Sequence, residues 1–140
     1  MHINITSLLE MDCFDLSHSA AEGGQDAGRD TWNASKAKAA ELSPPLLDTE
    51  EKLEAMRDFA KSSGGWTREE IGEWSADEIN ALFLQWIAGD ARQCPAVEGE
   101  RADSLDEIDW TEYEEQAQAG QIPSNLSKGD DGKIWFYLGR

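Results

Sequence analysis

The clearest pattern of apolar and polar positions along the chain lies between residues 75 and 90. Apolar side chains recur there every three or four positions, which places them on one face of a helix; they are Ile79, Leu82, Phe83, Trp86 and Ile87. Small and apolar residues cover much of the opposite face as well, and the narrow polar strip that remains holds Asp77, Glu78, Asn80 and Gln85. The pattern therefore predicts a helix that the rest of the domain surrounds.

The residues at the two ends of this pattern predict where the central helix begins and ends. Ser75 and Glu78 have the spacing of a capping box, in which each side chain binds the backbone N–H of the other residue. Gly89 follows the last apolar positions, and glycine often ends a helix. We therefore expect the central helix to run from Ser75 to Gly89.

Four further stretches have the periodicity and the end signals of helices. They cover residues 25–42, 48–64, 67–74 and 109–119, and residues 91–103 are expected to form a loop. The first helix is rich in alanine, should be anchored by Trp32 and cannot continue through Pro44 and Pro45. The buried stripe of the second helix is predicted to consist of Leu53, Met56, Phe59 and Ala60.

Strand-like patterns occur at both ends of the chain. Residues 133–138 form its only strongly β-prone run, and the turn at 129–132 before them predicts a hairpin whose first strand lies at 122–126. Near the N-terminus, Ile3 and Ile5 alternate like a short strand, and residues 7–10 resemble the start of a brief helix. Phe14 and Leu16 are expected to enter the core.

Together these elements predict an α+β fold: a mainly helical single domain over residues 1–140 with a C-terminal β-hairpin. The chain has six tryptophans, a high number for 140 residues. Five of them are expected in the core, namely Trp32, Trp74, Trp86, Trp110 and Trp135. Trp66 precedes the Thr67 cap and is predicted to be either a staple of that cap or a partly exposed binding anchor.

The composition excludes several classes of partner. Twelve Lys and Arg against 29 Asp and Glu give a net charge of −17. Direct binding to nucleic acid or to an anionic membrane is disfavoured, because phosphate contacts require Lys and Arg. No secretory signal or long apolar run is present, so we expect a cytoplasmic protein in which Cys13 and Cys94 are free, buried thiols.

No motif predicts a catalytic, cofactor-binding or metal-binding residue. Carboxylate pairs such as Glu69 and Glu73 are unavoidable in a chain this acidic, and Cys13 and His18 lie too close in sequence to meet in an ordinary backbone. The run from Asp130 to Gly132 has only part of a calcium loop and is better explained as a β-turn.

The distribution of charge is the one feature that is more than ordinary. Residues 67–115 hold fifteen acidic residues and three arginines. Carboxylates three or four positions apart on a helix lie about 5–6 Å from each other, a spacing comparable with that of charge along a nucleic-acid backbone. The residues predicted to bind a partner are Glu98, Glu100, Asp103, Asp106, Glu107, Asp109, Glu112, Glu114 and Glu115, with Trp66.

The chain resembles the small proteins carried by phages and other mobile elements of proteobacteria. The resemblance rests on residues 21–35 (AEGGQDAGRDTWNAS), 78–90 (EINALFLQWIAGD) and 131–139 (DGKIWFYLG). In size and acidity the chain is also similar to phage-borne inhibitors of host defence, of the anti-CRISPR and anti-restriction type. Many of those act by binding and some imitate nucleic acid, but no functional residue is transferred from them.

Three hypotheses follow. The leading one is a non-enzymatic inhibitor in the host cytoplasm that binds a basic, nucleic-acid-binding surface of a host defence complex, partly through acidic mimicry. The first alternative is an accessory interaction protein that binds through an apolar patch and is acidic only for solubility. The second is a small hydrolase that uses a carboxylate pair. The identity of the partner and the oligomeric state stay open.

Overall fold

The computed structural model of the protein describes residues 1–10, 25–42, 44–64, 66–102, 105–122 and 125–138. Within these ranges the α-helices are α1 (Gln25–Glu41), α2 (Glu50–Gly64), α3 (Arg68–Gly72), α4 (Ala76–Arg92) and α5 (Trp110–Gln118). Short 3₁₀ helices cover Thr6–Glu10 and Leu105–Glu107. The strands are β1 (His2–Asn4), β2 (Leu126–Lys128) and β3 (Ile134–Tyr137). The predicted α+β fold with a mainly helical content and a C-terminal hairpin is confirmed.

Helix α4 lies at the centre of the core, as its pattern predicts. Helix α1 packs along it, and α2 packs against both α4 and α3. The buried residues of α4 include apolar side chains from both of its faces, namely Ile79, Ala81, Leu82, Phe83, Leu84, Ile87, Ala88 and Ala91. Because the rest of the fold covers both of its faces, a helix with so narrow a polar strip is stable in this position.

The two ends of α4 differ in how well the sequence predicts them. At the start, Ser75 Oγ accepts a hydrogen bond from the Glu78 N–H and Glu78 accepts one from the Ser75 N–H, each at 3.3 Å. At the other end the prediction is wrong, because α4 continues through Gly89 to Arg92. Burial of Ala91 beyond the glycine favours the extra turn and offsets the roughly 1 kcal/mol that glycine costs inside a helix.

Asn80 is also not where the polar strip places it. Its side chain is 2% exposed and lies between α4 and the turn before α2. The Oδ1 atom accepts a hydrogen bond from the Leu47 N–H at 2.9 Å, and Nδ2 donates to the carbonyls of Leu47 and Ala76 at 3.4 and 2.9 Å. These bonds satisfy a buried amide, so Asn80 ties the turn to the central helix rather than facing solvent.

The strands form an antiparallel sheet in the order β1-β3-β2. Phe136 of β3 pairs with Ile3 of β1 on one side and with Leu126 of β2 on the other. The N-terminal strand therefore completes a sheet that the sequence predicts only as a hairpin. The first hairpin strand starts at Leu126 rather than at 122, because the C-terminal turn of α5 still holds Gln121, whose N–H donates to the Gln116 carbonyl at 3.0 Å.

The predicted burial of the tryptophans needs correction. Within the described residues, all five that were assigned to the core keep part of their surface exposed, namely Trp32, Trp74, Trp86, Trp110 and Trp135. The predictions for Cys13, Phe14, Leu16, His18 and Asp103 fall outside the described residues. Among the helices that the structure describes, none combines the length and the apolar character needed to cross a membrane.

Candidate functional site

Two stretches rich in carboxylates run side by side beyond the C-terminal end of α4. The Val97 N–H donates to the Glu107 carbonyl at 3.0 Å, and the Asp109 N–H donates to the Pro95 carbonyl at 2.9 Å. Ala96 and Ile108 form an antiparallel bridge between the same two stretches. This pairing brings the loop that carries Glu98 next to the 3₁₀ turn that carries Glu107.

We call the carboxylates of these stretches and of α5 the acidic region: Glu98, Glu100, Asp106, Glu107, Asp109, Glu112, Glu114 and Glu115. All of them are exposed except Asp109, which is half-buried. Asp109 is the N-cap of α5, because its Oδ1 accepts a hydrogen bond from the Glu112 N–H at 3.2 Å. The structure thus places eight of the predicted partner-binding acids on adjoining segments, while Asp103 lies outside the described residues.

A buried tyrosine on α5 joins the acidic region to the sheet. The Tyr113 hydroxyl donates to the Leu126 carbonyl at 3.0 Å and accepts from the Leu126 N–H at 3.1 Å. Its ring also packs edge-on against Trp110, with 5.5 Å between the ring centroids. Because both backbone groups of Leu126 bind this hydroxyl, α5 is fixed to the outer edge of the sheet and its carboxylates stand on a rigid base.

A second feature lies along one side of α4 and is lined by four tryptophans. We call it the aromatic groove; it consists of two adjoining cavities of about 310 and 440 Å³. Trp66, Leu82 and Gln85 line both cavities. The smaller cavity adds Trp32, Trp74 and Glu78, and the larger adds Trp86, Gly89, Asp90 and Gln93.

The tryptophan rings form walls that meet at steep angles. The Trp74 centroid lies 5.4 Å from that of Trp32 and 5.0 Å from that of Trp66, with interplanar angles of 48° and 69°. Trp86 packs edge-on against Phe59 at 5.1 Å, which holds it from the core side. The rings are therefore positioned by aromatic contacts although part of each surface is exposed.

Polar groups stand at intervals along the aromatic groove, and each has a structural support. Glu78 is held by the capping box, and Gln85 Nε2 donates to the hydroxyl of buried Ser35 at 3.1 Å. Glu78 and Asp90 lie twelve residues apart on α4, which corresponds to about 18 Å along the helix axis. The pair that flanks a scissile bond in glycosidases is only about 5–10 Å apart, so these two carboxylates do not form such a pair.

Among the carboxylates that the structure describes, Asp90 lies in unusual surroundings. Burial raises its pKa above the usual 3.8, and the Asn125 amide, which donates to Oδ2 at 3.1 Å, opposes that shift. The neighbouring Cys94 is a free, buried thiol, as predicted, and it donates to the Asp90 carbonyl at 3.2 Å. Burial, and then the charge of Asp90, raise the pKa of Cys94 to about 12, so this thiol stays protonated at neutral pH.

The aromatic groove and the acidic region adjoin each other. Gln93 lines the larger cavity, and its carbonyl accepts a hydrogen bond from the Arg101 guanidinium at 3.4 Å. Arg101 belongs to the same loop as Glu98 and Glu100. Trp66, the predicted anchor, is half-buried in the groove, so the structure connects it to the predicted acids through the C-terminal end of α4.

The aromatic groove does not follow from the apolar pattern of the sequence, which assigns the tryptophans to the core. One signal was present in the chain. Glu78 and Gln85 lie seven residues apart and mark a polar line along a largely apolar helix, and Gln93 continues this line just past the end of the helix. Tryptophans on both sides of such a line indicate a lined groove rather than a filled core.

Other chemistry has little support within the described residues. They contain no group of three or more His, Cys, Asp or Glu side chains that could hold a metal ion. Glu69, Glu70 and Glu73 are all exposed on or beside α3, and none of them lines the aromatic groove. No protein-family model, curated protein or solved structure matches the chain.

Proposed function

We propose that this protein is a non-enzymatic inhibitor of a host defence complex, carried by a phage or another mobile element. It acts in the host cytoplasm, binding a basic surface that would otherwise hold nucleic acid in a CRISPR effector or a restriction enzyme. The observation that carries the proposal is the backbone pairing between residues 95–97 and 107–109, which gathers exposed carboxylates from three adjoining segments. The resemblance to small mobile-element proteins supports the choice of target.

The physical argument rests on the rigidity and the charge of the acidic region. Glu112, Glu114 and Glu115 lie on a capped helix that Tyr113 fixes to the sheet, so this part of the acidic region needs little backbone ordering when a partner binds. A net charge of −17 attracts a basic surface at long range and accelerates the encounter. Val97, which is 68% exposed, adds an apolar contact within a charged rim, the arrangement that protein interfaces favour.

The test is competition with DNA for purified CRISPR effector complexes and restriction enzymes, measured by gel shift with labelled target DNA. Wild-type protein should weaken DNA binding by at least one of these complexes. Reversing Glu107, Glu112 and Glu115 to Lys together should weaken the inhibition by about tenfold or more, because opposite charges at an interface then become like charges.

The matched control reverses the same number of exposed acids elsewhere, at Glu41, Glu51 and Asp130. Both variants change the net charge equally, so an effect of total charge alone would appear in both. The proposal is wrong if no complex is inhibited, or if the two variants inhibit alike.

The first alternative hypothesis, an interaction protein that binds through an apolar patch, is favoured by one observation, the aromatic groove. Salt titration separates this alternative from binding through the acidic region. Charge-based inhibition should decline steeply between about 50 and 300 mM NaCl, because the Debye length shortens. Inhibition through an apolar contact should change little over the same range.

A further inference from the structure

We propose that the aromatic groove binds an arginine side chain of the basic partner. This inference rests on the proposed function, since it names the group that the partner inserts beside the acidic region. The four tryptophans can hold a cation as well as an apolar group, and the two carboxylates and the charge of the whole chain favour the cation.

The aromatic walls provide the first reason. A guanidinium is attracted to the face of an aromatic ring, and Trp is the strongest partner. Trp32, Trp74 and Trp66 form a continuous series of rings with unequal orientations, so a planar cation in the smaller cavity can contact more than one of them. Lys36 already places its Nζ 5.9 Å from the Trp32 centroid, so one ring of the series contacts a cation within the chain.

The polar groups provide the second reason. Glu78 lines the smaller cavity and Asp90 the larger one, so each cavity contains one carboxylate beside its tryptophans. Arginine has five N–H donors in a planar fork, and it is more weakly hydrated than the lysine ammonium. The carboxylate of each cavity and the side-chain amide oxygen of Gln85 are acceptors for such a fork. An aliphatic side chain would cover these oxygens without donating a hydrogen bond to them.

The position of the groove provides the third reason. Gln93 and Arg101 connect its larger cavity to the loop of the acidic region, so a single basic segment can reach both. A basic strand or loop of the partner would insert one arginine between the rings while its neighbouring cations meet the acidic region. The groove then supplies specificity, and the acidic region supplies long-range attraction.

The experiment follows the indole N–H resonances of the ¹⁵N-labelled protein by NMR. Four of the six tryptophans line the groove, while Trp135 on β3 lies outside both the groove and the acidic region and serves as the internal reference. The probe is the peptide acetyl-Gly-Ser-Arg-Ser-Gly-amide. Its two controls replace arginine by citrulline, which has nearly the same shape without the charge, and by norleucine. The arginine peptide should shift the groove resonances saturably and leave the Trp135 reference in place.

Two variants test the binding groups. Trp66→Ala removes a wall that both cavities share, and Glu78→Gln removes a charge while keeping an acceptor for the capping box. Each should weaken peptide binding by about five- to tenfold. Asp77→Asn is the matched control, because Asp77 is an exposed acid in the same helical turn and does not line the groove. Amide spectra of the variants report whether each one is folded.

The outcomes separate this inference from the proposed function. Groove resonances that do not move with the arginine peptide, or that move equally with citrulline or norleucine, would overturn the inference. Resonances that shift with protein concentration alone would assign the groove to a second copy of the chain and overturn it as well. If the triple lysine variant loses inhibition while Trp66→Ala keeps both inhibition and peptide binding, the groove proposal fails and the proposed function stands.

Discussion

At the scale of single residues, Tyr113 joins two elements of the fold through its hydroxyl. Strand β2 lies at the edge of the sheet, where backbone groups would otherwise be unpaired. The Tyr113 hydroxyl binds both the N–H and the carbonyl of Leu126 and so replaces a neighbouring strand at that residue. The Tyr113 hydroxyl therefore connects α5 to the C-terminal hairpin.

This arrangement predicts that Tyr113→Phe lowers the free energy of unfolding by about 1–3 kcal/mol, because two buried backbone groups lose their partner. Urea unfolding followed by circular dichroism measures the change. Tyr137→Phe is the control, since Tyr137 lies half-buried on β3. Equal losses in both variants would contradict this explanation.

The raised pKa of Asp90 predicts that the stability of the protein depends on pH. This pKa is raised above 3.8 by burial, so the folded state holds this proton more firmly than the unfolded state does. Stability from this group is therefore complete below pH 3.8 and is lost as the pH rises through the folded pKa. Asp90→Asn should accordingly be more stable than wild type at pH 7, and the difference that comes from ionisation should shrink as the pH falls through the folded pKa and be absent below pH 3.8.

The same substitution should weaken arginine-peptide binding, because it removes the carboxylate of the larger cavity. Unfolding curves at pH 7 and at pH 3 in the two proteins measure the first effect, and NMR titration measures the second. Functional sites commonly combine such a gain in stability with a loss of binding. A variant that is less stable than wild type at pH 7 would contradict the prediction.

At the scale of elements, two glycines of similar sequence context have opposite functions. Gly89 lies inside α4, and a Cβ added there would meet no atom within 4 Å. Gly120 follows α5 with φ +76°, a conformation that favours glycine, and it ends that helix as predicted. The two positions show that the surrounding packing decides whether a glycine stops a helix.

We therefore expect Gly89→Ala to raise the free energy of unfolding by about 0.5–1 kcal/mol and Gly120→Ala to lower it by about 1 kcal/mol. Thermal unfolding of the two variants in parallel with wild type measures the sign of the stability change in each. The same sign in both would contradict the assignment of Gly89 to a helix interior.

At the scale of the whole molecule, charge acts on stability and on binding in opposite directions. A net charge of −17 destabilises the compact state through self-repulsion, and salt screens that repulsion. Raising NaCl from about 20 to 300 mM should therefore increase the melting temperature while it weakens inhibition of the target.

The variant with Glu41, Glu51 and Asp130 changed to Lys provides the control. It carries less negative charge, so its melting temperature should rise less with salt, while its inhibition should respond to salt as wild type does. A melting temperature that falls with added NaCl would contradict the role of self-repulsion.

The sequence by itself determined the features that depend on residues within a few positions of each other. These features are the caps at Ser75 and Asp109, the apolar repeat of α4 and the glycine turn before β3. They are local because the hydrogen bonds and side-chain contacts of a helix or a hairpin turn join residues that are close in sequence. For that reason the helices, the hairpin and the acidic composition of residues 98–115 could be predicted without the structure.

The tertiary structure decided everything that depends on which distant segments meet. Burial of Asn80 requires the turn at Leu47, and the third strand requires the N-terminus to lie beside β3. The aromatic groove joins Trp32, Trp66 and Trp86 from separate segments of the chain, and only the packing of those segments brings them together. Periodicity shows which side chains are apolar, but only packing determines whether they fill a core or line a groove.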